Sequence, residues 1–139
     1  MRTYIVMSHS HMARGVVDSI KMLAGEQTQI DYLCGYVDGN ENIEQAVRAK
    51  LDAIEPNQEI VVFTDLFGGS VNNAVLQAVK GAEGIHVVAG MNLALILGIL
   101  FAPEEADTQT LIHNSIAEAR KGILYCNDLA VEDGVLEEF

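Results

Sequence analysis

Short, continuous runs of β-branched and aliphatic residues alternate in this chain with segments whose apolar side chains recur at helical spacing. That alternation, more than any other feature, limits the folds open to it. Tyr4-Ile5-Val6-Met7 is apolar at every position, the pattern of a strand buried on both faces. Met12, Val16, Val17, Ile20 and Leu23 follow at helical spacing, with Gly25 placed to end the helix. Ile30 to Val37 reads as a second, less regular strand containing Gly35. Asn40 is the expected cap of a helix facing inward through Ile43, Val47, Leu51 and Ile54, with Pro56 just beyond it. Ile60-Val61-Val62-Phe63 is the clearest strand. Val71, Ala74, Val75, Ala78 and Val79 mark the next helix, stopped by Gly81. Ile85-His86-Val87-Val88 gives a fourth strand, and the apolar run after Asn92 a short helix. Thr108 is the expected cap of a last amphipathic helix carrying Leu111, Ile112, Ile116 and Ala119, ended by Gly122. Ile123-Leu124-Tyr125 is a candidate for one more strand.

Strands and helices in strict alternation predict parallel strands, right-handed crossovers and helices on both faces. The expected fold is therefore α/β, a three-layer sandwich around a mostly parallel sheet with four parallel strands in the order 2-1-3-4. A chain of 139 residues suits one domain, taken as residues 1–125. Residues 126–139 are expected to form an acidic tail, because the sequence from Asn127 onward carries five acids and no base.

Charge narrows the function. Twenty Asp and Glu against eight Lys and Arg leave a net charge of −12. Such a surface repels phosphate backbones and acidic lipid, which argues against a nucleic-acid or membrane-surface role and suits a positively charged protein partner. Cys34 and Cys126 form neither a Cys-x-x-Cys metal pair nor a disulfide framework, as expected of a cytoplasmic protein with reduced thiols. The apolar run ending at Met7 is too short for a signal-peptide core. The longest apolar stretch, Leu93 to Ala102, falls well short of the roughly 20 residues a bilayer demands.

In an open parallel sheet, sites form beyond the carboxyl ends of strands where successive connections leave toward opposite faces. The loop after the first strand reads Ser8-His9-Ser10-His11, and the loop after the third Thr64-Asp65-Leu66-Phe67-Gly68-Gly69-Ser70. With the strand order 2-1-3-4 these two loops meet, setting His9 or His11 beside Asp65. A neutral imidazole is a nucleophile, and a carboxylate on its other nitrogen fixes the tautomer and supports the positive charge that grows during attack. Gly68 and Gly69 permit close backbone approach, and Ser70 opens a helix whose free amides favour an anion. Histidine, aspartate and an anion cradle describe a phosphoryl relay. Neither G-x-x-x-x-G-K-[ST] nor G-x-G-x-x-G occurs, so no nucleotide or other cofactor is expected.

Three segments carry a family resemblance: Ile5-Val6-Met7-Ser8-His9 with Gly25-Glu26-Gln27, then Thr64-Asp65-Leu66-Phe67-Gly68-Gly69-Ser70-Val71-Asn72-Asn73, then Ala89-Gly90-Met91-Asn92-Leu93. Together, in register over residues 3–122, they resemble the EIIA domain of the mannose-type sugar phosphotransferase system. The resemblance implies a cytoplasmic phosphocarrier that accepts phosphate from a histidine-containing phosphocarrier protein and passes it to an EIIB domain. It implies His9 as the phosphorylated residue, Asp65 as its partner and Ser70 as a neighbour of the phosphate. It also implies a homodimer in which a C-terminal strand is exchanged, a role for Ile123-Leu124-Tyr125. Members often carry Trp where this chain has His11 and Phe67, and Pro where it has Val71. These departures lie at the rim and bear on partner or sugar preference.

Other readings of the same residues stay open. His11 is an alternative acceptor or a neighbour of the site, and His9, His11 and Asp65 could together bind a metal, although no further ligand set accompanies them and no metal is expected. Asp65 and Ser70 could each cap a turn or helix. Ser8, Ser10, Phe67 and Asn92 are candidates for phosphate or partner contact, with Asn92 equally suited to a turn. Tyr4, Tyr32 and Tyr36 read as core or interface. Three rival functions remain: the phosphocarrier subunit of a dihydroxyacetone kinase, a receiver-like domain phosphorylated on Asp65, and a noncatalytic regulatory copy that reports its phosphorylation state to a partner.

Overall fold

The computed structural model describes residues 2–26 and 29–129. Gln27 and the part of the acidic tail beyond residue 129 lie outside the described residues. In chain order the elements are β1 (Arg2–His9), α1 (Met12–Ala24), β2 (Ile30–Gly35), α2 (Ile43–Asp52), β3 (Glu59–Thr64), α3 (Ser70–Ala78), β4 (Ile85–Ala89), α4 (Leu93–Leu100) and α5 (Thr108–Arg120), followed by a 3-10 turn over Cys126–Asp128. The four strands are parallel and ordered β2-β1-β3-β4, as expected from the alternation of elements.

Strand periodicity accounts for the continuous apolar runs. Successive residues of β1 and β3 face opposite sides of the sheet, and both sides are covered. Tyr4, Val6, Val61 and Phe63 enter a core shared with Ala13, Val17 and Ile20 of α1, Ile96 and Ile99 of α4, and Ile112 of α5. Ile5, Met7, Ile60 and Val62 enter a second core with Val47 of α2 and Val71, Ala74 and Val75 of α3. Each fully buried Val or Ile contributes about 1.5–3 kcal/mol relative to exposure. The connection after β1 thus leaves toward one face and that after β3 toward the other. The switch point falls between these two neighbouring strands.

Several element ends differ from the sequence reading. Asn42, not Asn40, caps α2, its side chain accepting the Gln45 N–H at 3.1 Å, while the Asn40 amide donates to the Cys34 carbonyl at 3.1 Å. Asp107, not Thr108, caps α5. Thr108 is buried because its hydroxyl serves a polar cluster at the amino ends of β1 and β3, accepting from Arg2 Nε at 2.9 Å and bonding Glu59. β2 stops at Gly35 instead of Val37, because Tyr36 takes a left-handed conformation at φ 68° that no strand continues through. Ile123, Leu124 and Tyr125 form no strand within the chain and are exposed. A segment with no neighbour to pair with cannot satisfy a ladder alone.

Candidate functional site

His9 closes β1 opposite Gly35 of β2, and Asp65 follows β3 on the other side. Both stand at the carboxyl ends of adjacent strands, where the sheet's connections diverge. His9 shares its side of the sheet with Ile5 and Met7, so it projects toward the α3 face. One carboxylate oxygen, Asp65 Oδ2, lies 2.7 Å from His9 Nδ1 and also accepts the His9 backbone N–H at 2.7 Å. The other, Oδ1, accepts the Leu66 N–H at 2.8 Å. Turn capping and imidazole orientation are therefore both performed by Asp65. Its side chain is 8% exposed against 41% for His9. Burial pushes the Asp65 carboxyl up, but the His9 N–H, the His9 ring and the Leu66 N–H together outweigh it and hold the carboxyl below its ordinary value.

A carboxylate only accepts, so Nδ1 carries the proton, and in the neutral imidazole Nε2 presents its lone pair. Nε2 faces the Ser70 hydroxyl at 3.1 Å. Ser70 is the first residue of α3, one position beyond the Gly69 cap, and no side chain caps this helix end. The hydroxyl is thus free for the site, and the first amides of α3 point their partial positive charge toward it.

The turn between Asp65 and Ser70 is held from within α3. Gly68 has φ 80°, a left-handed position at which a side chain is strained. Its N–H donates to Asn72 Oδ1 at 3.3 Å, and its carbonyl accepts from the Asn73 amide at 3.2 Å. Asn72 is buried and also donates to Thr64 Oγ1 at 2.8 Å, tying the turn to the end of β3. A Cβ on Gly69 would lie 3.2 Å from Leu66 Cβ and 3.5 Å from His9 Cε1, so the lack of one lets the turn close against the ring. Gly68 serves the backbone path and Gly69 the approach.

The remaining expected residues are placed differently from one another. Ser8 is fully buried, and its hydroxyl accepts the Ala13 N–H at 2.7 Å, which fixes the start of α1. Ser10 sits at φ 52°, exposed, with its N–H on the Gly35 carbonyl at 3.0 Å. His11 turns away from Asp65 and pairs with Asp38 at 3.0 Å on the surface. The His-x-His pair is therefore not brought together with Asp65. Among the described residues no group of three His, Cys, Asp or Glu side chains gathers as a metal set. Phe67 is 85% exposed at the rim beside Leu66. Asn92 caps α4 through the Leu95 N–H at 2.9 Å, so its side chain is committed to the helix.

Tyr36, which the sequence suggests for the core or an interface, stands at the site. The Tyr36 ring stacks on the His9 ring with centroids 5.6 Å apart, and its hydroxyl donates to Ser70 Oγ at 2.6 Å. With β2 paired to β1, the loop after the second strand borders the same end of the sheet as the other two. That adjacency is the signal by which Tyr36 could have been found.

A histidine and an aspartate joined across a switch point, with a Gly-Gly-Ser turn beneath them, invite comparison with known carriers. The mannose-type EIIA family model, described as the fructose IIA component of the phosphotransferase system, matches residues 3–116. The chain belongs to the mannose-type EIIA family. This EIIA protein is 22% identical over 131 residues to the fructose-specific EIIA component of Bacillus subtilis (strain 168), covering 92% of this chain and 88% of that one. It is 24% identical over 122 residues to the mannose-specific EIIAB component of Escherichia coli (strain K12), covering 86% of this chain and only 38% of that longer protein. Among solved structures, a protein assigned to a phosphoenolpyruvate-dependent sugar phosphotransferase system in Klebsiella pneumoniae subsp. pneumoniae MGH 78578 is 35% identical, with a TM-score of 0.86. That match covers 91% of this chain and 92% of the other. Among the described residues of the EIIA protein, no helix is long and apolar enough to cross a membrane.

Proposed function

We propose that this EIIA protein is a cytoplasmic phosphohistidine carrier, taking phosphate from a histidine-containing phosphocarrier protein onto His9 Nε2 and passing it to an EIIB domain. The observation that carries the reading is the division of labour on one imidazole. Nδ1 is bound to a buried carboxylate at 2.7 Å, and Nε2 faces the Ser70 hydroxyl at the open end of α3. In the forward step the Nε2 lone pair forms the N–P bond as the donor's own N–P bond breaks, and the donor imidazole recovers that electron pair. Nδ1 keeps its proton throughout, and Asp65 balances the positive charge the ring acquires. Ser70 and the first amides of α3 then meet the phosphoryl oxygens. The second transfer, to EIIB, reverses the same geometry.

Positioning and charge stabilisation carry most of phosphoryl transfer, and these side chains supply both without a nucleotide. The relatives' names differ in sugar, fructose in one and mannose in another, at similar identity. What the chains share therefore supports the carrier reading and no particular sugar. The exposed Leu66 and Phe67 at the rim are suited to partner contact. We further infer a homodimer, completed when the segment around Leu124 pairs with a second copy. No observation favours a dihydroxyacetone-kinase carrier or a receiver phosphorylated on Asp65.

The test is mass-spectrometric mapping under alkaline handling, after incubation with phosphoenolpyruvate and the two general carrier proteins. Phosphate on His9 is the expected result. A protein labelled elsewhere, or not at all, overturns the proposal.

A further inference from the structure

We propose that Tyr36 is a positioning residue for transfer at His9, acting through Ser70; the inference rests on the phosphocarrier reading above. The number of protons available fixes the direction of each bond. Asp65 accepts the hydrogen bond from Nδ1–H, so in the neutral ring Nε2 is an acceptor, and Ser70 Oγ at 3.1 Å is the hydroxyl that faces it. Serine has one proton and two lone pairs. With that proton directed at Nε2, the 2.6 Å contact between Tyr36 and Ser70 is formed by the tyrosine donating. The groups make one directed chain, Tyr36 to Ser70 to His9 to Asp65, in which every donor is matched to an acceptor.

The direction matters when phosphate arrives. Once the Nε2 lone pair has gone into the N–P bond, the Ser70 proton loses its acceptor, and the phosphoryl oxygens stand in its place. Because Tyr36 goes on occupying a Ser70 lone pair, the serine proton stays directed outward, toward the transferred group. A hydroxyl that accepts one hydrogen bond also donates a stronger one. Tyr36 therefore turns a rotating hydroxyl into a fixed donor, without itself touching the reacting atoms.

The backbone is consistent with a demand of this kind. Ser10, Tyr36 and Asp38 all hold positive φ, and all lie in the two loops that flank His9 from β1 and β2. Such conformations are costly for residues with a Cβ and persist where surrounding contacts enforce them. At Tyr36 the N–H is held by the Asn40 carbonyl at 2.9 Å, which sets the ring over the imidazole. The tyrosine is also half-exposed, so neither core packing nor strand pairing explains its conformation.

Single-turnover transfer from the phosphorylated carrier protein tests this in the full chain, with Tyr36→Phe, Ser70→Ala and the double variant. Tyr36→Phe keeps the stacked ring and removes only the donor. It is expected to slow transfer about tenfold, the scale of one lost hydrogen bond. The double variant should be no slower than Ser70→Ala alone, because the tyrosine acts through the serine. In the resting protein the ¹⁵N resonance of His9 Nε2 should also move in Tyr36→Phe while the urea midpoint holds, which a merely structural role would not produce. A wild-type rate in Tyr36→Phe, or losses that multiply in the double variant, overturns the proposal. Wild-type protein run alongside separates the two failures. With His9 labelled there, such a result removes the Tyr36 relay alone; without that label the carrier reading falls and the relay with it.

Discussion

Asp65 Oδ2 accepts two hydrogen bonds from His9, one from the backbone N–H and one from Nδ1, each at 2.7 Å. A single oxygen therefore fixes both where the main chain ends β1 and how the imidazole at that end is turned. Neither bond is available from a residue on the same loop. Each depends on β3 lying beside β1, with Met7 in register with Thr64.

The first consequence concerns which imidazole is modified. His9→Ala is expected to abolish labelling from phosphoenolpyruvate and the general carriers, whereas His11→Ala should retain it, since His11 pairs with Asp38 at the surface. Radiolabel retained on the chain after alkaline electrophoresis is the measurement. Labelling of the His9 variant at the wild-type rate would defeat the assignment.

A second expectation concerns the carboxylate. Asp65→Asn keeps the size of the side chain but removes the charge that supports the ring during attack, and its amide can present a donor to Nδ1. Transfer should fall by about a hundredfold or more, with the fold intact by circular dichroism. A rate within a factor of two of wild type would mean that Asp65 serves the turn alone.

The depressed Asp65 carboxyl also fixes the sign of a pH effect. A group whose folded-state pKa lies below its unfolded value stabilises the fold above the unfolded value, and that contribution disappears as pH falls through the folded one. Wild type should exceed Asp65→Asn in urea stability by a constant margin near neutrality, with the margin closing below about pH 4. The carboxyl of Asp107, which its bonds to Thr110 also hold low, is present in both proteins and cancels from the difference. A margin that widens in acid contradicts the geometry.

Asn72 offers a test of the turn. It joins Thr64 Oγ1 to the Gly68 N–H from inside the protein. Asn72→Ala removes the partner of the buried Thr64 hydroxyl and should cost about 1–3 kcal/mol in urea unfolding. Transfer should slow as well, because the Asp65–Ser70 spacing depends on that turn. Unchanged stability would show that water replaces the amide.

Periodicity made the layers legible. Four short apolar runs separated by amphipathic segments leave little alternative to a parallel sheet covered on both faces, and Tyr4-Ile5-Val6-Met7 and Ile60-Val61-Val62-Phe63 do split residue by residue between the two cores. The caps were decided by contacts outside the helices. Asn40, Asn42, Asp107 and Thr108 are all good cap residues, and Asn40 and Thr108 are held instead by strand residues, Cys34 and Arg2. Asn92 and Ser8 are likewise residue types suited to ligands, yet each is bound to the first turn of the helix that follows it.

The sequence by itself determined the order of elements, the burial of both sheet faces and the presence of histidine, aspartate, glycine and serine in loops at strand ends, because local spacing and residue chemistry carry that information. Only the tertiary structure decided which of those loop residues meet. His9 finds Asp65 across 56 positions of chain, His11 is diverted to Asp38, and Tyr36 comes over the imidazole from a third loop. Those pairings depend on strand adjacency, which the competition among long-range contacts settles and no local pattern encodes.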